Sequence, residues 1–235
     1  MKYTLISLSA ITLLAACSQA ENMADKAANK TQEVASDVAA KTTEMAKDGL
    51  QAAKDMTPGA DLSALPSGIY KSEQGHTYVS FQYWHQDYSK PIIRWGETNA
   101  TIELNADNPE ESTLMVTIPS ASIDTGVPDW DKHIKSADFF DVENFPTITF
   151  KSTDIDQAFL GGGSVTGDMT IKGVTKPVTF TGKVNKVGKH FRSGVDMFGI
   201  SATGKLNRSD FGVDTYAPMA EEIDITIEAE FQKAE

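Results

Sequence analysis

Segments in which every second residue is apolar recur along the chain from Gly68 onward, separated by Gly, Asn, Asp and Pro. A period of two is typical of strands that are buried on one face. Regularly spaced strands of this kind indicate an all-β domain, either an antiparallel barrel or a sandwich. The pattern predicts strands, some of which could merge or split, near positions 69–73, 76–86, 92–105, 112–124, 147–156, 163–172, 177–187, 190–207 and 222–232.

Three of these strands carry a set of mostly apolar side chains on one face, which predicts the inner surface of the domain. The sets are Thr77, Val79, Phe81, Tyr83 and His85; Leu114, Val116 and Ile118; and Ile223, Ile225 and Ile227. A barrel of about eight strands is either filled by side chains or holds one small ligand. Periodicity does not separate these cases, and taken alone it favours a core filled by residues such as Phe139, Phe140, Phe145, Phe150, Phe180, Phe198 and Phe211.

A short charged segment interrupts the alternation after Asp124. Trp130, His133 and Ile134 stand at i, i+3 and i+4, which predicts a helical turn with these three side chains on one face. Asp129 is positioned to cap that turn. We expect this short helix to lie across one mouth of the barrel.

Residues 1–16 have the pattern of a signal peptide, with a positive start, an apolar run from Leu5 to Leu14 and small residues before Cys17. The run is too short to span a bilayer, which takes about 20 residues. The pattern resembles a bacterial lipobox. That resemblance implies that Cys17 becomes the first mature residue and carries acyl chains such as palmitate, and Ser18 after it points to the outer membrane. The alternative is an ordinary secretion signal with an incidental cysteine.

Residues 17–57 read as an acylated cysteine followed by a helical stalk. Met23, Val34, Met45 and Met56 stand eleven apart, and this period keeps a narrow apolar stripe along a nearly straight helix. The stripe is weak, so a solvated tether is favoured over a helix that pairs with a second copy into a homodimer or lies on lipid headgroups. Residues 58–67 form a loose linker that leads into the domain at 68–235.

The net charge of -12 argues against nucleic acid and against an electrostatically held membrane surface. Cys17 is the only cysteine, which excludes a disulfide, a thiolate metal cluster and a cysteine nucleophile in the domain. Asp129, Asp131 and His133 would fan around a helical turn, so we expect no metal site. Nor do Ser136, His133 and Asp138 predict a hydrolase, because no Gly-x-Ser-x-Gly elbow is present. No cofactor is expected.

Several motifs resemble the YceI-like family of periplasmic lipid-binding barrels. They cover the chain from Leu65 to Glu235 almost continuously. The motifs are Gly75 to Phe81, Ser122-Ile123-Asp124-Thr125-Gly126, Asp131 to Ser136, Asp138 to Val142, Phe145 to Phe150, Gly167 to Val178 and Leu206 to Val213. The segment Ile92 to Glu97 departs from the family, which usually has a glycine-phenylalanine pattern there, so Trp95 is expected to reshape the pocket.

The resemblance implies an antiparallel up-and-down, lipocalin-like barrel of about eight strands that encloses a polyisoprenoid or an isoprenoid quinone without acting as an enzyme. The residues expected to bind the ligand are Val79, Phe81, Tyr83, His85, Trp95, Leu114, Val116, Ile118, Phe139, Phe145, Phe150, Asp131 and His133. Asp131 could equally brace the loop. The alternatives are an envelope interaction lipoprotein with a filled barrel, and an isoprenoid or quinone enzyme that depends on Asp131 and His133.

Overall fold

A computed structural model describes residues 60–156 and 162–234 of the chain. The predictions for the signal peptide, Cys17 and the stalk lie outside the described residues. Among the described residues, helix α1 spans Pro128–Lys135. The strands are β1 (Gly68–Gln82), β2 (Ile92–Trp95), β3 (Asn99–Leu104), β4 (Thr113–Pro119), β5 (Ile123–Asp124), β6 (Thr147–Ile155), β7 (Gly163–Ile171), β8 (Val174–Lys189), β9 (Asp196–Asn207) and β10 (Glu222–Lys233).

The sheet closes on itself as an antiparallel barrel. Its order is β10-β9-β8-β7-β6-β4-β3-β1, and β1 also pairs with β10. The second half of β1 pairs with β2, which in turn pairs with β5. β2 and β3 together act as one bent strand, and so do β4 and β5. Counted in this way, the barrel wall consists of eight strands. The predicted closed barrel of about eight strands is therefore confirmed.

Several predicted strand limits differ from the structure. The segments predicted at 69–73 and 76–86 are one strand, β1, with an irregularity between Ser72 and Thr77. The segment predicted at 92–105 is divided into β2 and β3, and the segment predicted at 112–124 is divided into β4 and β5. Between the two breaks, the Gly96 amide donates to the Ser122 carbonyl over 2.8 Å. The turn between β8 and β9 extends from residue 190 to residue 195, so β9 begins at Asp196 rather than at the predicted position 190. Each break bends the wall without opening it.

Alternation along the strands separates the inside of the barrel from the outside. On β10 the inward positions include Ile223, Ile225 and Phe231, and the residues that alternate with the inward set, Asp224, Thr226, Glu228 and Glu230, are polar. The inward positions include the glycines Gly167, Gly182 and Gly204. A Cβ atom on Gly167 would stand 2.5 Å from Cζ of Phe150, so the phenylalanine ring lies directly over the glycine. Rings held against the wall in this way leave space along the barrel axis.

Side chains plug one end of the barrel. The rings of Phe198 and Phe231 stack with centroids 5.1 Å apart, and the fully buried Tyr70 lies 5.4 Å from Phe198. Leu62 and Leu65 cover this group and are each 5% exposed. Residues 60–67 are therefore packed against the barrel rather than forming a loose linker. Their two leucines lack the period that would have marked them as part of a core.

Both hydrophobic clusters of the described residues, and every strand of the barrel, lie between residues 60 and 234. Residues 60–234 therefore contain a complete hydrophobic core of their own, as an independently folding domain requires. Among the described residues, no helix combines the length and the apolar character that crossing a membrane requires.

Candidate functional site

Above the plug, the barrel encloses a cavity of about 830 Å³. This volume is near the upper end of the range for small-molecule sites, roughly 300–1,000 Å³. At the deep end the lining consists of buried residues, among them Ala100, Ile200 and Ala229. At the other end it reaches exposed residues, including His85 and Tyr216. The barrel is therefore hollow over much of its length and opens at one mouth.

The wall of the cavity is almost wholly apolar and comes from the strand faces that the alternation predicts. Phe81 on β1, Val116 on β4 and Ile225 on β10 all line it. Small residues, including Ala202 and Gly204 on β9, leave room where larger side chains would fill the lumen. An apolar wall with few polar groups suits a hydrocarbon ligand, because burial of its surface requires no directional partner.

Helix α1 forms part of the mouth. It begins at Pro128, and Asp129 does not cap it, so that prediction is wrong. Instead, the Thr125 amide and hydroxyl each donate to Oδ1 of Asp131 over 2.7 Å, and the Val127 amide donates to the Thr125 hydroxyl over 3.1 Å. These bonds from Thr125 hold the pKa of Asp131 below its ordinary value of 3.8. Asp131 therefore braces the start of the helix and does not line the cavity.

Aromatic rings gather at the mouth beside α1. Trp130, His133 and Ile134 all line the cavity, which confirms the predicted face of the helix. The ring centroids of Trp130 and His133 lie 5.4 Å apart, and each ring lies 5.1 Å from Phe139. Tyr216, from the segment between β9 and β10, lies 6.2 Å from Phe139. The cluster links two segments across the mouth.

The geometry does not assemble the hydrolase arrangement that the sequence analysis considers. Nε2 of His133 lies 3.4 Å from Oδ2 of Asp138, but the Ser136 hydroxyl donates to the His133 backbone carbonyl over 2.7 Å and not to the ring. Within 60–156 and 162–234, no three His, Cys, Asp or Glu side chains come together as metal ligands.

Arg208 is a cavity residue that the sequence analysis missed. It stands two residues after Leu206, just beyond the end of β9, lines the cavity and is 9% exposed. Its guanidinium donates to the backbone carbonyls of Ala220, Val213 and Met219 over 2.8, 2.5 and 2.7 Å. The side chain thus fastens the segment that carries Tyr216. Continuation of the alternation from Phe198 past Leu206 was the signal that could have found it.

Three further residues, Tyr83, Trp95 and Thr98, bring single polar atoms to the otherwise apolar wall. Burial raises the pKa of the Tyr83 hydroxyl, against the opposing influences of Trp130 and the Arg208 charge. Trp95 packs on Phe81 at a centroid distance of 5.0 Å. Among the described residues, Nε1 of Trp95 and Oγ1 of Thr98 are buried without a hydrogen-bond partner. Two buried polar atoms of the wall thus lack a hydrogen-bond partner in the segment where β2 ends and β3 begins.

The cavity brings together most of the residues predicted to bind a ligand. Phe145 and Asp131 are not among the residues that line it. Phe145 packs instead against the turn between β7 and β8, where a Cβ atom on Gly173 would lie 2.8 Å from its ring. The predicted residues on the cavity wall are Val79, Phe81, Tyr83, His85, Trp95, Leu114, Val116, Ile118, His133, Phe139 and Phe150.

Known proteins share this sequence pattern and this fold. YceI from Escherichia coli O17:K52:H18 is 34% identical over 185 residues, which are 77% of this chain and 94% of that protein. The crystal structure of the Campylobacter jejuni YceI protein is 28% identical with a TM-score of 0.55, covering 63% of this chain and 87% of that one. A polyisoprenoid-binding domain from Saccharophagus degradans shares the fold at 9% identity and a TM-score of 0.53, covering 72% of this chain and 100% of that one.

The family model described as the YceI-like domain matches residues 70–231. This range contains the whole barrel except the first two residues of β1 and the last two residues of β10. The chain therefore belongs to the YceI-like family.

Proposed function

We propose that this protein is a non-enzymatic carrier that holds a long apolar chain, a polyisoprenoid or an isoprenoid quinone, inside the barrel. The observation that carries the proposal is the cavity of about 830 Å³, which is closed at its deep end and open at its mouth. A buried methylene contributes about 0.8 kcal/mol, so a long hydrocarbon can be held without a dense set of polar contacts.

The polar groups at the mouth support carriage over catalysis. Asp131 is engaged with Thr125, and the guanidinium of Arg208 is engaged with three backbone carbonyls. These groups stabilise the chain around the cavity. The choice of an isoprenoid follows the family resemblance and the polyisoprenoid-binding domain of Saccharophagus degradans, which has the same fold.

We propose further that the protein is an outer-membrane lipoprotein that faces the periplasm, anchored through acylated Cys17. Two or more acyl chains give stable anchoring where one does not. The stalk would act as a spacer between the anchor and the barrel. Changing Cys17→Ser is expected to release the protein in soluble or uncleaved form. An unchanged membrane fraction would instead make the stalk or the barrel the anchor.

Chain length tests the carrier function. A fragment of residues 58–235, stripped of lipid, would be titrated with isoprenoid quinones of increasing length while quenching of Trp95 and Trp130 is followed. Each buried methylene is expected to raise the affinity by about fourfold until the cavity is full. Equal affinity for the shortest and the longest quinone would place the chain outside the barrel and contradict the proposal.

A further inference from the structure

We propose that the mouth of the barrel docks on an electrically neutral lipid surface, through a set of exposed apolar side chains that we call the mouth rim. The mouth rim consists of Trp84, Tyr88, Ile92, Val127 and Tyr216. The inference goes beyond ligand binding because it assigns a surface and a partner. It rests on the proposed carrier function only for the identity of the molecule that is exchanged.

Exposed apolar side chains are concentrated at this end. Within residues 60–156 and 162–234, nine large hydrophobic side chains are exposed, and five of them form the mouth rim. Tyr88 is 86% exposed, Ile92 65% and Tyr216 60%. Single exposed hydrophobic residues are normal on a protein surface, whereas a group around an opening marks an interaction site.

The mouth rim is continuous with the cavity. Val127 and Tyr216 line the cavity as well as being exposed. Trp84 and Tyr88 lie in the loop between β1 and β2, whose residues His85 and Ser89 also line the cavity. A ligand that leaves the barrel at this mouth therefore passes Val127 and Tyr216 and the loop that carries Trp84 and Tyr88.

The chemistry of the mouth rim matches the boundary of a bilayer. Tryptophan and tyrosine prefer this boundary because each combines an apolar ring with a polar atom. The ammonium of Lys90 lies 5.1 Å from the Trp84 ring centroid and also pairs with Asp224 over 2.6 Å. The cation is thus already neutralised within the protein and stays close to the ring.

The charges near the mouth favour a neutral surface over an anionic one. Asp129 pairs with Lys132 over 3.2 Å, so this pair adds no net charge. The Asp138 side chain is 65% exposed, and Asp87 lies exposed within the loop that carries Tyr88. Carboxylates at these positions repel anionic headgroups. The net charge of -12 acts in the same direction. Zwitterionic headgroups impose no such penalty.

Docking also solves the energetic problem of ligand release. An isoprenoid chain that enters water exposes its whole apolar surface, which is unfavourable in proportion to the area exposed. A barrel mouth seated on a bilayer lets the chain pass from one apolar environment to another. The mouth rim offers apolar side chains with tryptophan and tyrosine among them, and among the possible partners a lipid surface suits such side chains best.

The experiment measures how the rate of ligand transfer depends on the concentration of acceptor vesicles. The fragment of residues 58–235 is loaded with an isoprenoid quinone and mixed with phosphatidylcholine vesicles, and recovery of the fluorescence of Trp95 and Trp130 reports release. Docking predicts a rate that rises in proportion to vesicle concentration. Release through water predicts a rate that does not change with vesicle concentration, and this result would overturn the inference.

Matched variants locate the surface. Tyr88→Gln and Trp84→Gln are expected to slow transfer by about tenfold, equivalent to about 1.4 kcal/mol, without changing the affinity for the quinone. Phe191→Gln is the control, because Phe191 is 83% exposed in the hairpin at the plugged end. Equal transfer rates for Tyr88→Gln and Phe191→Gln would overturn the assignment of the mouth rim.

The outcomes separate this inference from the proposed function. If the fragment takes up no quinone at all, the carrier function fails, and sedimentation of the empty fragment with phosphatidylcholine vesicles still tests docking. If the quinone is bound but neither vesicle concentration nor the rim variants affect release, docking on lipid is wrong while carriage stands. Faster release on adding a second envelope protein, with no response to vesicles, would assign the rim to a protein partner instead.

Discussion

The ring of Phe180 on β8 lies over Gly204, its direct partner on β9. A Cβ atom on Gly204 would stand 2.5 Å from Cδ1 of Phe180, closer than real Cβ contacts allow. The glycine therefore lets the ring rest against the wall instead of projecting across the lumen. A barrel that could have been filled by its phenylalanines is left hollow in part by this pairing.

The variant Gly204→Ala is expected to push the Phe180 ring toward the lumen. The affinity for a long isoprenoid quinone should fall, and the free energy of unfolding should decrease by about 1–3 kcal/mol, as overpacking typically costs. Gly199→Ala on the same strand is the control, since its nearest neighbour would be the Ala229 carbonyl oxygen at 3.8 Å. Quinone titration and urea unfolding measure both effects. Unchanged affinity in a folded Gly204→Ala variant would show that this part of the wall does not contact the ligand.

Adjacent residues on β4 test which face binds. Val116 lines the cavity, and its neighbour Met115 points outward and is 45% exposed. Val116→Asp places an unpaired carboxylate against the ligand, so we expect the affinity for the quinone to fall by at least about tenfold, or about 1.4 kcal/mol. Met115→Asp should bind as the unchanged protein does. If both variants retain the ligand equally, the lumen is not the binding site.

Arg208 is predicted to stabilise the mouth. Replacing it by Met removes three hydrogen bonds to backbone carbonyls, and we expect a loss of about 2–5 kcal/mol in the free energy of unfolding. Lys should not restore it, because an ammonium cannot reproduce the planar arrangement of the guanidinium donors. Urea unfolding and protease cleavage within 213–220 measure the effect. Full stability in Arg208→Lys would show that charge alone suffices.

The brace at α1 has a defined pH dependence. Because the pKa of Asp131 is lowered by folding, its contribution to stability is complete above the ordinary value of 3.8 and is lost as the pH falls through the lower folded pKa. Carboxyl NMR of Asp131 and the amide shift of Thr125 follow this directly. Thr125→Val removes the hydroxyl donor and should raise the pKa of Asp131. Titration of Asp131 at or above 3.8 in the unchanged protein would contradict the assigned hydrogen bonds.

The lumen-facing residues could be predicted because a strand has a fixed period of two. Val79, Phe81 and Ile225 follow from the sequence alone once their segments are recognised as strands. Whether the lumen is open could not be predicted in this way. It depends on which residues face one another across strands, such as Phe180 and Gly204, and this register is set by the closure of the whole barrel.

The errors at the ends of the barrel have local causes. The sequence allows Asp131 either to contact a ligand or to brace the loop, and the structure shows the brace, because its carboxylate accepts hydrogen bonds from Thr125. Phe145 lies outside the lumen because its segment turns against Gly173. Leu62 and Leu65 were assigned to a linker since two leucines among Ser, Pro and Ala show no period. These contacts are made with residues brought close by the tertiary fold, so the hydrophobic periodicity of the local sequence does not reveal them.

The measurement that tests the central claim most directly is native mass spectrometry of residues 58–235, purified from a bacterial periplasm without detergent and then extracted with organic solvent. The account predicts a stoichiometric bound mass that extracts as a prenyl chain or an isoprenoid quinone. A ligand-free mass, together with no uptake of added prenyl lipids, would contradict the account and leave the envelope interaction role of the stalk as the function to pursue.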